Sequence, residues 1–133
     1  LQFMGDNVPY SDMVKIYNMG QVFVSPTRAE AFGLPMIEAM ACGLPVITTD
    51  FGGQTDFVNE SNGWLISGEL KEVEHEIGYE GISWLTPDIE QLKRTMREVY
   101  NTKDNLKEKV DNAIYTAHQF TWDNSARKIM ELI

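Results

Sequence analysis

The chain has 133 residues, 43% of them hydrophobic, which is room for one α/β domain with a real core and too little for two. Eleven Lys and Arg against 20 Asp and Glu leave a formal charge of −9, which argues against a nucleic-acid surface and against docking on anionic lipid. No apolar run approaches the roughly 20 residues of a membrane-spanning helix, no secretory leader pattern is present, and Cys42 stands alone, so no internal disulfide and a cytoplasmic setting are expected.

In chain order, Leu1-Gln2-Phe3-Met4-Gly5 reads as an apolar strand followed by a loop to Tyr10. Ser11 is placed to cap a helix reaching Met19, with Met13, Val14, Ile16 and Tyr17 on its apolar face. Gln21 to Ser25 is an apolar run with β-branched and aromatic residues, stopped by Pro26, the pattern of a buried parallel strand. Pro35 has the fixed φ suited to a first helical position, so a short helix is expected from there to Gly43, before the strand Pro45 to Thr49. Gly52 and Gly53 follow that strand. From Glu69 to Gly81 the sequence is acidic and irregular around His75, the composition of a solvated loop.

Thr86 is expected to cap a helix with Pro87 at its first position, and Ile89, Leu92, Met96, Val99 and Tyr100 recur at helical spacing as core. Leu106, Val110, Ala113, Ile114 and Ala117 mark another helix. Thr121 caps the last one, with Ala126, Ile129, Met130 and Ile133 on one side. Cys42 reads as a small buried filler with no base beside it. His75 and His118 have no ligand partner three or four residues on, so no metal site is expected.

The chemistry concentrates between Ser25 and Asp50. The loop Thr27 to Leu34 falls at a strand's carboxyl end, the edge at which open α/β sheets bind ligands. Phe32, Gly33 and Leu34, just ahead of Pro35, can present backbone N–H groups to an anion at a helix start. Glu38, about one turn into the helix, has two oxygens that can accept from a ribose 2′,3′-diol; its place near a helix start is also favourable through the helix dipole alone. Glu30 lies across the turn, within reach of a sugar on the far end of the same diphosphate. Taken singly it reads more readily as a solvated surface residue, and Gly33-Leu34-Pro35 could be nothing more than a strand-to-helix turn.

The joint string Glu30-Ala31-Phe32-Gly33-Leu34-Pro35-Met36-Ile37-Glu38-Ala39-Met40-Ala41-Cys42-Gly43-Leu44-Pro45-Val46-Ile47 resembles the signature of the retaining glycosyltransferases of family 4, which have the GT-B fold. Glu30 and Glu38 meet the family's E-x7-E motif, and Ser25-Pro26, Gly52-Gly53 and Asn62-Gly63 also fit, with Asp56 where the family usually has glutamate. The resemblance runs from about Phe3 to the end.

It implies an α/β fold, a Rossmann-like parallel sheet flanked by helices, with residues 1 to 133 forming a single, partial C-terminal donor domain. The acceptor-binding domain and the first βα units would lie outside it. By position, Glu30 would stabilise charge at the transferred sugar, Phe32, Gly33 and Leu34 would meet sugar hydroxyls and phosphate, and Glu38 would bind the ribose. The donor would be a nucleoside diphosphate sugar, with no metal and no other cofactor. The acceptor would be a glycan or lipid held by the other domain. The family's basic Arg and Lys for the diphosphate have no counterpart here, and Arg28 reads as a solvated surface residue, so activity of this segment alone is not expected. Phe120-Thr121-Trp122 resembles the family's F-x-W junction, Trp122 being a packing anchor. The last helix would expose an apolar face open to self-association, and a membrane-peripheral location of the whole enzyme fits the resemblance. Other readings of the same residues are a nucleotide-sugar epimerase of the same fold, a glycosidase using Glu30 and Glu38 as an acid/base pair, and a non-catalytic partner-binding module.

Overall fold

The structure, a computed structural model, describes residues 8–73, 81–102 and 106–132. The strand expected at Leu1 to Gly5, the acidic stretch around His75 and the terminal Ile133 lie outside the described residues. Three parallel strands form the central sheet: β1 (Phe23–Ser25), β2 (Val46–Thr49) and β3 (Gly63–Ile66), with β2 in the middle. Val46 pairs with both Phe23 and Gly63, and Thr48 with Ser25 and Leu65, so the three carboxyl ends lie together at one edge.

The sheet is covered on both faces, because the side chains of β2 alternate between them. Val46 joins Met36, Ile37 and Met40 of α2 (Leu34–Ala41) and Ala113 and Ala117 of α4 (Lys107–Ala117). Ile47 turns the other way, onto Val99 of α3 (Ile89–Asn101) and Leu106. All four residues of β2 are buried, as its unbroken run of apolar and β-branched side chains requires. A smaller cluster of Tyr17, Ala39 and Leu44 attaches α1 (Met13–Tyr17) to the back of α2.

Several expectations change. The first helix is shorter: a 3-10 turn, Tyr10–Asp12, leads into α1 with no side-chain cap from Ser11, and Val14 is exposed. β1 starts two residues late and is only half-buried, because it pairs on one side only among the described residues. The acidic loop is in part a strand. β4 (Gly68–Glu72) pairs antiparallel with β5 (Ser83–Pro87), placing Glu69 opposite Thr86 and Lys71 opposite Trp84. Thr86 and Pro87 are therefore strand residues, and Asp88 caps α3 by accepting the Gln91 N–H at 2.9 Å.

On α3 only Val99 of the expected apolar set is buried, while Ile89, Met96 and Tyr100 are exposed. Thr121 does cap α5 (Trp122–Met130), accepting from the Asn124 N–H at 3.1 Å. Trp122, however, is 88% exposed and anchors nothing among the described residues. Ile129, Met130 and Leu132 are exposed beside it. Cys42 is half-buried just past the end of α2, and burial, with Glu38 nearby, pushes its thiol pKa up.

The turn before β3 depends on one polar residue. Asn62 is fully buried, donates from Nδ2 to the Phe57 carbonyl at 2.8 Å and to Thr116 Oγ1 at 3.0 Å, and accepts the Asn59 N–H at 2.8 Å. Asn62→Ala leaves those groups without their partner inside the protein and should destabilise the fold by about 2 kcal/mol. A urea midpoint that falls in proportion, with unchanged slope, is the expected reading.

Candidate active site

The loop from Ser25 to Leu34 crosses the carboxyl edge of the sheet, and it is held there by four bonds from three neighbouring segments. Thr48 Oγ1 donates to the Ser25 carbonyl at 2.9 Å, and Thr49 Oγ1 to that of Thr27 at 2.6 Å. The Leu85 N–H of β5 donates to the Arg28 carbonyl at 2.9 Å, and the Gly53 N–H to that of Glu30 at 3.0 Å. Buried Gln54 secures the second glycine turn by donating from Nε2 to the Phe51 carbonyl at 2.6 Å and the Thr49 carbonyl at 3.1 Å. Its Oε1 has no partner among the described residues.

Gly33 then reverses the chain. Its φ of 94° is a left-handed conformation that side chains resist, and its carbonyl accepts from Met36 and Ile37 to open α2. The helix begins at Leu34, one residue ahead of the expected Pro35, and Gly43, also left-handed at φ 83°, follows its end. The Phe32 ring turns into the core, 5.2 Å from Phe57 and 6.0 Å from Phe120. Its backbone is thereby left toward the edge. Among the described residues, the N–H groups of Phe32, Gly33 and Leu34 meet no acceptor. They lie at the positive end of a helix.

Glu30 is half-buried on this loop, and its Cγ lies 3.5 Å from where a Cβ on Gly33 would stand. Glu38 lies one turn into α2, as expected, but its carboxylate is not open. Tyr10 Oη donates to Oε1 at 3.0 Å and Tyr17 Oη to Oε2 at 2.9 Å. The hydrogen bond it donates to Glu38 raises the pKa of the Tyr10 hydroxyl, and burial followed by the same carboxylate raises that of Tyr17, so both phenols stay protonated donors at neutral pH. Nothing in the local sequence signalled this pairing, since Tyr10 and Glu38 are 28 positions apart.

Arg28 is an exposed surface residue, as expected, but it is not without a partner. Its guanidinium stacks on the Trp84 ring, 4.8 Å from the centroid, so the β4–β5 hairpin and the Glu30 loop are joined by this contact as well as by the Leu85 bond. A groove of about 390 Å³ runs from Tyr10 and Glu38 past Leu34 and Ile37 to Phe120 and Trp122. Among the described residues, no three His, Cys, Asp or Glu side chains gather as a metal site, and no helix is long and apolar enough to cross a membrane.

The chain as a whole is similar to known proteins. Over 120 residues the chain is 27% identical to the serotype-specific mannosyltransferase WbdA of Escherichia coli, covering 90% of this chain and 12% of that protein. The chain therefore spans only a small part of this relative's length. The C-terminal domain of a glycosyl transferase group 1 family protein, LpcC, from Francisella tularensis superposes with a TM-score of 0.65 at 19% identity, over 89% of this chain and 52% of that one. The pneumococcal O-GlcNAc transferase GtfA, solved in complex with UDP and GlcNAc, gives 0.62 at 24% identity over 90% of this chain and 22% of its own. These likenesses show the fold, that of a GT-B C-terminal domain with a parallel sheet flanked by helices. Residues 2–119 match the family described as Glycosyl transferases group 1, and with the fold and the Glu30–Glu38 loop in place, the chain belongs to that family.

Proposed function

We propose that this chain is the donor-binding part of a retaining glycosyltransferase of family 4, which moves a sugar from a nucleoside diphosphate sugar to a glycan, lipid or other acceptor. The observation that carries the reading is the left-handed Gly33 at the start of α2, where the N–H groups of Phe32, Gly33 and Leu34 are unpaired among the described residues, with a glutamate on either side. The N–H groups of Phe32, Gly33 and Leu34 suit diphosphate oxygens and sugar hydroxyls. Glu38 receives the ribose diol, and Glu30 faces the transferred sugar, where its charge stabilises positive character at the anomeric carbon.

In this reading no metal takes part, and the groups that neutralise the diphosphate and hold the acceptor come from residues outside this chain. The segment alone is inactive, and the whole enzyme works in the cytoplasm, at the membrane surface where its acceptor is a lipid.

Glu38→Ala in the full-length protein tests the reading. Saturation-transfer NMR against UDP-, GDP- and ADP-sugars should identify one donor series for the wild type. The variant should bind that series about tenfold more weakly, the loss of one or two charge-assisted hydrogen bonds. Unchanged donor affinity would remove Glu38 from the site.

A further inference from the structure

The Glu38 carboxylate is occupied on both oxygens, yet its two partners are placed very differently. Tyr17 is 5% exposed, packed with Ala39 and Leu44, and its ring meets Phe23 edge-on at 5.9 Å. Tyr10 is 78% exposed on the short 3-10 turn ahead of α1, and its hydroxyl contact to Oε1 is on the solvent side. A ligand approaching Glu38 along the groove meets the Tyr10 phenol first.

We propose that Tyr10 is an internal competitor at the donor site that sets how tightly a nucleotide binds: its hydroxyl stands in for a ribose hydroxyl on Glu38 and is displaced when a 2′,3′-diol arrives. The inference rests on Glu38 being the ribose-binding group. An ionised carboxylate shielded on one side holds a hydrogen-bond donor strongly, so a ligand takes the place of Tyr10 at little net cost only if it brings hydroxyls of its own. A nucleotide with one hydroxyl missing displaces Tyr10 without fully replacing its bond. Tyr17 cannot leave, because its ring is packed in the core, and it keeps Oε2 oriented while Oε1 changes partner. Tyr10 thus lowers the affinity of every nucleotide that displaces it, while preference for the diol comes from Glu38 itself.

Tyr10→Phe removes the competing hydroxyl and keeps the ring. Calorimetric titration of the full-length protein with UDP, GDP and ADP, and with their 2′-deoxy counterparts, should show the preferred ribonucleotide binding about two- to tenfold tighter to Tyr10→Phe than to wild type. The 2′-deoxy form should tighten by a similar factor, since either ligand is spared the same displacement of the Tyr10 hydroxyl. Tyr17→Phe should act in the opposite direction and weaken binding by loosening Glu38. Ribonucleotide affinity that is unchanged or lower in Tyr10→Phe overturns the inference, a lower value making Tyr10 a donor contact in its own right. Glu38→Ala in the same titration separates the two ideas. If it binds as wild type does, or if no nucleotide binds the wild type, the donor reading itself fails and the Tyr10 inference with it; if Glu38→Ala is weak and Tyr10→Phe is not tighter, only the Tyr10 inference fails.

Discussion

Glu30→Gln in the full-length protein is expected to lower kcat by about 10²- to 10³-fold, the range seen when one group stabilising transition-state charge is lost, while the donor KM stays within about threefold. The substitution keeps shape and volume and removes only the negative charge. The Glu30 main chain, not its side chain, carries the contact with Gly53, so the loop should keep its place and the thermal midpoint should not move. An interaction made mainly in the transition state depresses kcat and kcat/KM together, whereas uniform binding would raise KM alone. Single-turnover kinetics with the donor identified by NMR would make the distinction. A variant with wild-type turnover, or one whose loss lies wholly in KM, would show that Glu30 is a binding or surface group.

The carboxylate pair was legible because its signal is local. A β-branched strand, a Pro-terminated run and a Gly-Leu-Pro helix start fix the path of ten consecutive residues, and Glu30 and Glu38 follow from it. Thr121 was readable as a cap for the same reason, since its partner is three residues away. What could not be read depends on distant pairing. Glu69, Lys71 and Glu72 look like a solvated loop by composition, and only the antiparallel register with Ser83 to Pro87 makes them a strand. That register also takes Thr86 and Pro87 away from α3 and leaves the cap to Asp88.

The hydroxyl of Tyr10 and the ring stacking of Arg28 on Trp84 are likewise long-range. No spacing rule reaches across 28 positions or brings β5 against the Glu30 loop. The helical periodicity of α3 correctly gave a helix and wrongly gave burial, because an apolar stripe is buried only as far as the sheet beneath it extends. Met96 and Tyr100 lie against the half-covered side of β1, around an apolar hollow of about 190 Å³.

Gly53→Ala is expected to damage stability and catalysis together. A Cβ at this position would stand 2.0 Å from the Ala31 carbonyl oxygen, 2.7 Å from its carbon and 2.9 Å from the Phe32 Cα. All three are main-chain atoms, so no side-chain rotation relieves the overlap, and the glycine turn and the Glu30 loop must separate. Separation breaks the Gly53 bond to the Glu30 carbonyl and shifts both Glu30 and the N–H groups before α2. Forced overpacking of this kind costs about 3 kcal/mol, and displacing a reacting group by about 1 Å costs about 10²-fold in rate. Gly81→Ala is the matching control. Gly81, unlike Gly53, is left-handed, at φ 78°, and among the described residues no atom lies within 4 Å of its Cβ position, so Gly81→Ala should lose only about 1 kcal/mol to backbone strain and keep its kcat. Urea denaturation and steady-state kinetics on both variants then separate a generic glycine effect from a loop whose close packing sets the geometry of the site. Wild-type kcat in Gly53→Ala would mean that the contact between the two loops does not position Glu30.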